Sequence, residues 1–92
     1  MKGIKYDEVS AVVRGTTEEG KDFTTQVYFK LLRPTDNDHY GNGCYLRVKL
    51  PSDTKLVDVR YGGCTEVDIL ADRWIKDYFG TNAKEIEMHF TI

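Results

Sequence analysis

The run from Gly43 to Tyr61 constrains the fold more than any other stretch of the chain. It reads Gly-Cys-Tyr-Leu-Arg-Val-Lys-Leu, then Pro-Ser-Asp-Thr, then Lys-Leu-Val-Asp-Val-Arg-Tyr. Apolar and polar residues alternate on both sides of a short polar turn, the pattern of a β-hairpin. With Leu50 opposite Lys55, Val48 faces Val57, Leu46 faces Val59 and Cys44 faces Tyr61. On the other face Arg47 meets Asp58, Lys49 meets Leu56 and Tyr45 meets Arg60. This register places apolar pairs on one face and an opposite-charge pair on the other, which is how cross-strand pairs stabilise a sheet.

Upstream, Val9, Ala11 and Val13 alternate, and valine favours strands. The segment leads into Gly15-Thr-Thr-Glu-Glu-Gly20, where Glu19-Gly20 is expected to turn the chain with Gly20 at positive φ. The competing reading of residues 4–15 is a short helix capped by Asp7 and stopped at Gly15. Residues 23–32 form the next strand, with Val27, Phe29 and Leu31 toward the core and Thr24, Gln26, Tyr28 and Lys30 away from it. Pro34 ends it, since proline donates nothing to a ladder.

After the hairpin, Thr65 is expected to cap a helix that runs to Phe79 and stops at Gly80. Val67, Leu70, Ala71, Trp74 and Tyr78 share its apolar face, with Ile75 at the edge. Glu66, Asp68, Asp72, Arg73 and Lys76 lie opposite, and Ile69 falls among them, exposed. Residues 84–91 form a last strand, with Ile86, Met88 and Phe90 on one side and Glu85, Glu87, His89 and Thr91 on the other. A helix between two strands predicts that this strand runs in the direction of residues 55–61, at a sheet position the sequence leaves open. The expected fold is α+β: one mixed, mainly antiparallel sheet of four to five strands packed on one helix over about 65–79. If residues 7–14 were helical, the order α-β-β-β-α-β would resemble double-stranded RNA-binding domains. Those domains begin the last helix with lysines, whereas this one begins Thr65-Glu66-Val67-Asp68, so the function does not transfer.

Ninety-two residues predict one domain, and 40% hydrophobic content can fill a core without staples. A net charge of −2 argues against a polyanion binder on global charge, though not against a local basic patch. With no long apolar run and no signal-peptide core at the N-terminus, the reading is a cytoplasmic protein without a membrane segment.

Three surfaces stand out. The first is the sheet face away from the helix, carrying Tyr28, Lys30, Tyr45, Arg47, Lys49 and Arg60. Tyrosine and arginine are favoured anchors at protein interfaces, and aromatic residues among cations also suit single-stranded nucleic acid. The second is the loop rim, with Asp36, Asp38, His39 and Tyr40 gathered near Cys44, Cys64 and the start of the helix. The third is the helix face of Asp68, Ile69, Asp72, Arg73 and Lys76.

Chemical motifs are weak. Cys44 and Cys64 lie nineteen residues apart, too far for the close pairs of structural zinc sites. Asp36 to Arg47 resembles a calcium loop but puts Arg47 where the bidentate glutamate belongs. There is no phosphate-binding or dinucleotide fingerprint. The expectation is a non-enzymatic protein-binding module without cofactor or metal. It would be a small inhibitor or regulator of a larger complex, of the kind phages and mobile elements direct against host defence, a context that no motif carries. The alternatives are a single-stranded nucleic-acid-binding domain using the sheet face, and a small-ligand binder or enzyme at the glycine-rich rim with Cys64 or His39 active. A homodimer is possible. The alternating glutamates of residues 84–91 would guard that edge against pairing.

Overall fold

The alternation that defines the hairpin extends through the whole sheet. In a computed structural model, backbone is described for residues 4–34, 43–50, 56–62 and 65–91, and side chains for 7–32, 43–50, 56–62 and 65–90. The elements are β1 (Ile4–Thr16), β2 (Asp22–Pro34), β3 (Cys44–Lys49), β4 (Leu56–Tyr61), α1 (Val67–Phe79), a 3-10 turn (Gly80–Asn82) and β5 (Ala83–Thr91). The sheet order is β4-β3-β2-β1-β5. The architecture is α+β: five strands packed with one helix. β4 and β5 share a direction but occupy opposite edges, so every paired neighbour is antiparallel.

Residues 4–16 are strand, which removes the element order that resembled double-stranded RNA-binding domains. β1 has partners on both sides, β2 and β5, and central pairing of this kind outweighs the helical option in its local sequence. Gly20 takes φ 84° and its N–H donates to the Thr17 carbonyl at 2.9 Å. The Thr17 N–H in turn donates to the Lys21 carbonyl at 2.7 Å, closing a three-residue loop with glycine in the left-handed position. The β3–β4 register matches the sequence reading pair by pair over the described residues, from Cys44↔Tyr61 to Lys49↔Leu56.

One row of the helix-facing side runs Phe90, Val9, Phe29, Val48, Val57 across all five strands. Its middle three residues are buried, but Phe90 is 60% and Val57 46% exposed. Five strands spaced by about 4.8 Å span about 19 Å, whereas a helix is roughly 10 Å wide. The helix therefore seals the middle strands and leaves the outer rows wet. Alternation had put Val57 and Val59 inward, and they do point to the helix side. On β4, however, Val57 is exposed and Val59 only half-buried.

The buried helix residues are Val67, Leu70, Ala71 and Ile75. Ile75 is thus central rather than marginal, and Tyr78 is 59% exposed instead of buried. Tyr78 still has a packing role, stacking on half-buried Trp74 with ring centroids 4.7 Å apart. Trp74 meets Phe29 edge-on at 5.6 Å, and Phe79 stacks on Phe23 at 5.7 Å. This aromatic series ties the C-terminal half of α1 to β2.

The helix begins one residue later than Thr65 predicts. Glu66 is the N-cap, in extended conformation, with no side-chain cap hydrogen bond. Its carbonyl accepts from the N–H groups of Ile69 and Leu70, so the backbone alone sets this boundary. Glu66→Asp, which brings a carboxylate within reach of the free N–H groups, is expected to raise stability by about 0.5–1 kcal/mol. The check is the urea midpoint. At the other end Gly80 takes φ 61° and its N–H donates to the Lys76 carbonyl, as expected for a glycine stop. No helix among the described residues is long and apolar enough to cross a membrane.

Candidate functional site

Strand pleating places Tyr28 and Lys30 of β2, Tyr45, Arg47 and Lys49 of β3, and Arg60 of β4 on the side of the sheet away from the helix. All six residues expected on the sheet face therefore come together. Three cross-strand rows organise them. One runs His89, Ser10, Tyr28, Lys49, Leu56; the next runs Glu8, Lys30, Arg47, Asp58; the third runs Leu32, Tyr45, Arg60. Tyr28 is 46% and Tyr45 48% exposed, and Leu56 of β4, in the row of Tyr28, is exposed as well. Tyr28, Lys30, Arg47, Lys49, Leu56 and Glu8 line a shallow groove of about 330 Å³.

The charges on this face are sorted. Lys30, Arg47, Lys49 and Arg60 cluster on β2, β3 and β4, where Asp58 is the accompanying carboxylate. On β1 and β5, Arg14 is surrounded by carboxylates, with Glu85 at 2.9 Å and Glu87 at 3.5 Å. The face thus has a basic, tyrosine-bearing half and an acidic half.

Within the basic half, Arg47 Nε donates to Asp58 Oδ1 at 2.9 Å and Nη2 to Oδ2 at 3.1 Å. This fork fixes the guanidinium plane against the sheet. Lys30 Nζ lies 3.9 Å from Glu8 Oε1. The Tyr28 hydroxyl donates to Gln26 Oε1 at 3.1 Å, which lays the phenol along the strand. Lys49 and Arg60 make no ion pair with another described residue, so their charge is the more available to a partner.

The hydrogen bond from Arg47 holds the Asp58 carboxyl below its ordinary value, with the guanidinium charge adding and burial opposing. Glu87 is lowered in the same way, chiefly by its hydrogen bond with His89, whose Nε2 lies 2.6 Å from Oε2. A lowered folded value means these groups stabilise the fold above their unfolded pKa of about 4. That contribution is lost as pH falls through the still lower folded values. Urea midpoints are therefore expected to drop below about pH 4, and Asp58→Asn should lessen the drop.

Leu56 was not among the expected site residues. Its place opposite Lys49 was legible, but its exposure depends on β4 being an edge strand. The helix-face candidates divide into two stripes. Asp68, Asp72 and Lys76 form one, held by a 2.9 Å Asp72–Lys76 pair; exposed Ile69 and Arg73 form the other. The loop-rim candidates Asp36, Asp38, His39 and Tyr40, and Cys64 with them, lie outside the described residues. Cys44 is buried, as alternation predicts. Among the described residues no three His, Cys, Asp or Glu side chains gather as a metal site would require. Comparison with family models, curated proteins and solved structures finds no match to this chain.

Proposed function

We propose that this chain is a non-enzymatic protein-binding module that docks through the basic half of its open sheet face. The observation that supports this reading is the grouping of half-exposed Tyr28 with Leu56, Lys30, Arg47 and Lys49 around one shallow groove, with half-exposed Tyr45 and Arg60 on the same face in the row beyond the Arg47–Asp58 pair. Rigid strands present the two phenols at low entropic cost, and tyrosine and arginine are enriched among residues that dominate binding energy. The partner this chemistry fits is a protein surface with carboxylates beside an apolar patch. The acidic half of the face would repel the wrong orientation and so set the direction of docking. A protein acting in this way occupies a surface of a larger complex, as an inhibitor or regulator does.

A nucleic-acid reading has less support. Arg47 is committed to Asp58 and Lys30 lies by Glu8, which reduces the charge available to phosphates. Tyr28→Ala and Tyr45→Ala are each expected to weaken the partner complex by about 2 kcal/mol, roughly thirtyfold. Both side chains are half-exposed, so thermal stability should change little. Titration of the purified complex by calorimetry, alongside thermal unfolding of each variant, checks both statements. Unchanged affinity in both variants would refute docking on this face.

A further inference from the structure

The two edges of the sheet are unlike. β4 lies beyond the cover of the helix, with Leu56 and Val57 exposed on opposite faces and Val59 half-buried. Of the β4 side chains it is Tyr61, at the end of the strand, that packs against the core; its phenol pKa is raised mainly by burial, with Asp77 of α1 adding. No described strand pairs with the outer edge of β4. An edge that no described strand covers is a template for another strand.

We infer that β4 pairs antiparallel with β4 of a second copy of this chain, in the register that sets Val59 opposite Val59 of the copy. The charge pattern of the strand selects that register. With Val59 at the two-fold axis, Asp58 faces Arg60 of the copy and Arg60 faces its Asp58. On the helix side Val57 meets Tyr61 and Tyr61 meets Val57. A shift that centres Asp58 puts carboxylate against carboxylate, and one that centres Arg60 puts guanidinium against guanidinium. Slips by one residue would bring opposite faces together and lose the apolar row. The pairing is isologous, so each favourable contact is made twice.

The other edge offers a weaker version of this pattern. On β5, registers centred on Ile86 or Glu87 bring carboxylates face to face. One centred on Met88 opposes Glu87 and His89, but both of these already pair with each other within the chain, whereas on β4 Asp58 is shared with Arg47 and Arg60 has no ion pair with another described residue. The β4 pairing produces a continuous ten-stranded sheet with both open faces on one side and their basic halves adjoining at the centre. Six residues bury little area, which places the dimer in the weak, reversible class. This inference does not rest on the proposed docking of a different protein, and either could fail without the other.

Sedimentation velocity across the accessible concentration range tests it. The wild type should show concentration-dependent dimer. Arg60→Asp sets carboxylate against carboxylate on each side of the axis, and Asp58→Arg sets guanidinium against guanidinium. Each variant alone should weaken dimerisation at least tenfold, and an equimolar mixture should recover a one-to-one heterodimer because each charge again meets its opposite. Should either variant fold poorly, Val59→Cys provides the second test. Opposed residues in antiparallel strands have Cα atoms about 4.5–5.5 Å apart, within disulfide range. Mild oxidation should link Val59→Cys rapidly to itself and Ile69→Cys slowly or not at all. A wild type that stays monomeric at all concentrations, with no preference for the position-59 cross-link, would overturn the inference. A dimer indifferent to the charge substitutions would do the same.

Discussion

Replacing Gly15 with alanine is expected to destabilise the fold by about 3 kcal/mol or more, at the upper end of overpacking costs. A Cβ at this position would lie 1.8 Å from the Asn82 carbonyl oxygen and 2.9 Å from the Phe23 ring. The ring could shift, but the carbonyl belongs to the backbone where the 3-10 turn enters β5. At this point the β1–β5 register also shifts, with Arg14 opposite Glu85 and Gly15 opposite Ala83. Relief would require moving the start of β5, which the stacked pair of Phe79 on Phe23 holds in place. For a domain of this size, about 3 kcal/mol lowers the thermal midpoint by on the order of 15 °C. Gly62→Ala is the control. A Cβ there meets nothing within 4 Å, and the change should stay within about 0.5 kcal/mol. Equal effects at the two glycines would contradict the close approach of β5 to Gly15.

Phe29→Ala is expected to cost about 3–5 kcal/mol, the range for removing a fully buried phenylalanine. Phe29 is 2% exposed and lies at the centre of the row that crosses all five strands. It also supports the edge of Trp74, on which Tyr78 stacks in turn. Since domains of this kind hold only about 5–15 kcal/mol of net stability, the loss removes a large share of it. The urea midpoint should fall with little change in slope. Trp74 is the sole tryptophan, so its emission in the native state should move to longer wavelength as the cavity admits water. A native spectrum identical to wild type would mean that the Phe29–Trp74 contact does not order the indole.

The hairpin of β3 and β4 was legible residue by residue. Two independent patterns, apolar alternation and the Arg47–Asp58 charge match, agree on one register there, and a slip would break both. β1 was less legible because Val9, Ala11 and Val13 satisfy a strand while Val9, Val12 and Val13 satisfy a helix face. Only its pairing on two sides, a non-local fact, decides between them. The position of β5 was open for the same reason, since a crossover helix can deliver its strand to any free edge. Alternation also reports which way a side chain points but not whether anything covers it. Val57, Phe90 and Tyr78 show the difference, for each has a defined direction and a largely wet surface. The six sheet-face residues were readable because strand parity alone assigns them. That Leu56 joins them, and that charge divides the face into two halves, required the strand order.

The central claim is that the basic, tyrosine-bearing half of the open sheet docks a protein. The most direct test is affinity capture from cells of the native host with nuclease present, comparing wild type with Tyr28→Ala/Tyr45→Ala and with Ile69→Ala on the helix. The account predicts a stoichiometric protein that survives nuclease, is retained by Ile69→Ala and is lost from the double tyrosine variant. A partner held equally by the double tyrosine variant, or one released by nuclease, would contradict it.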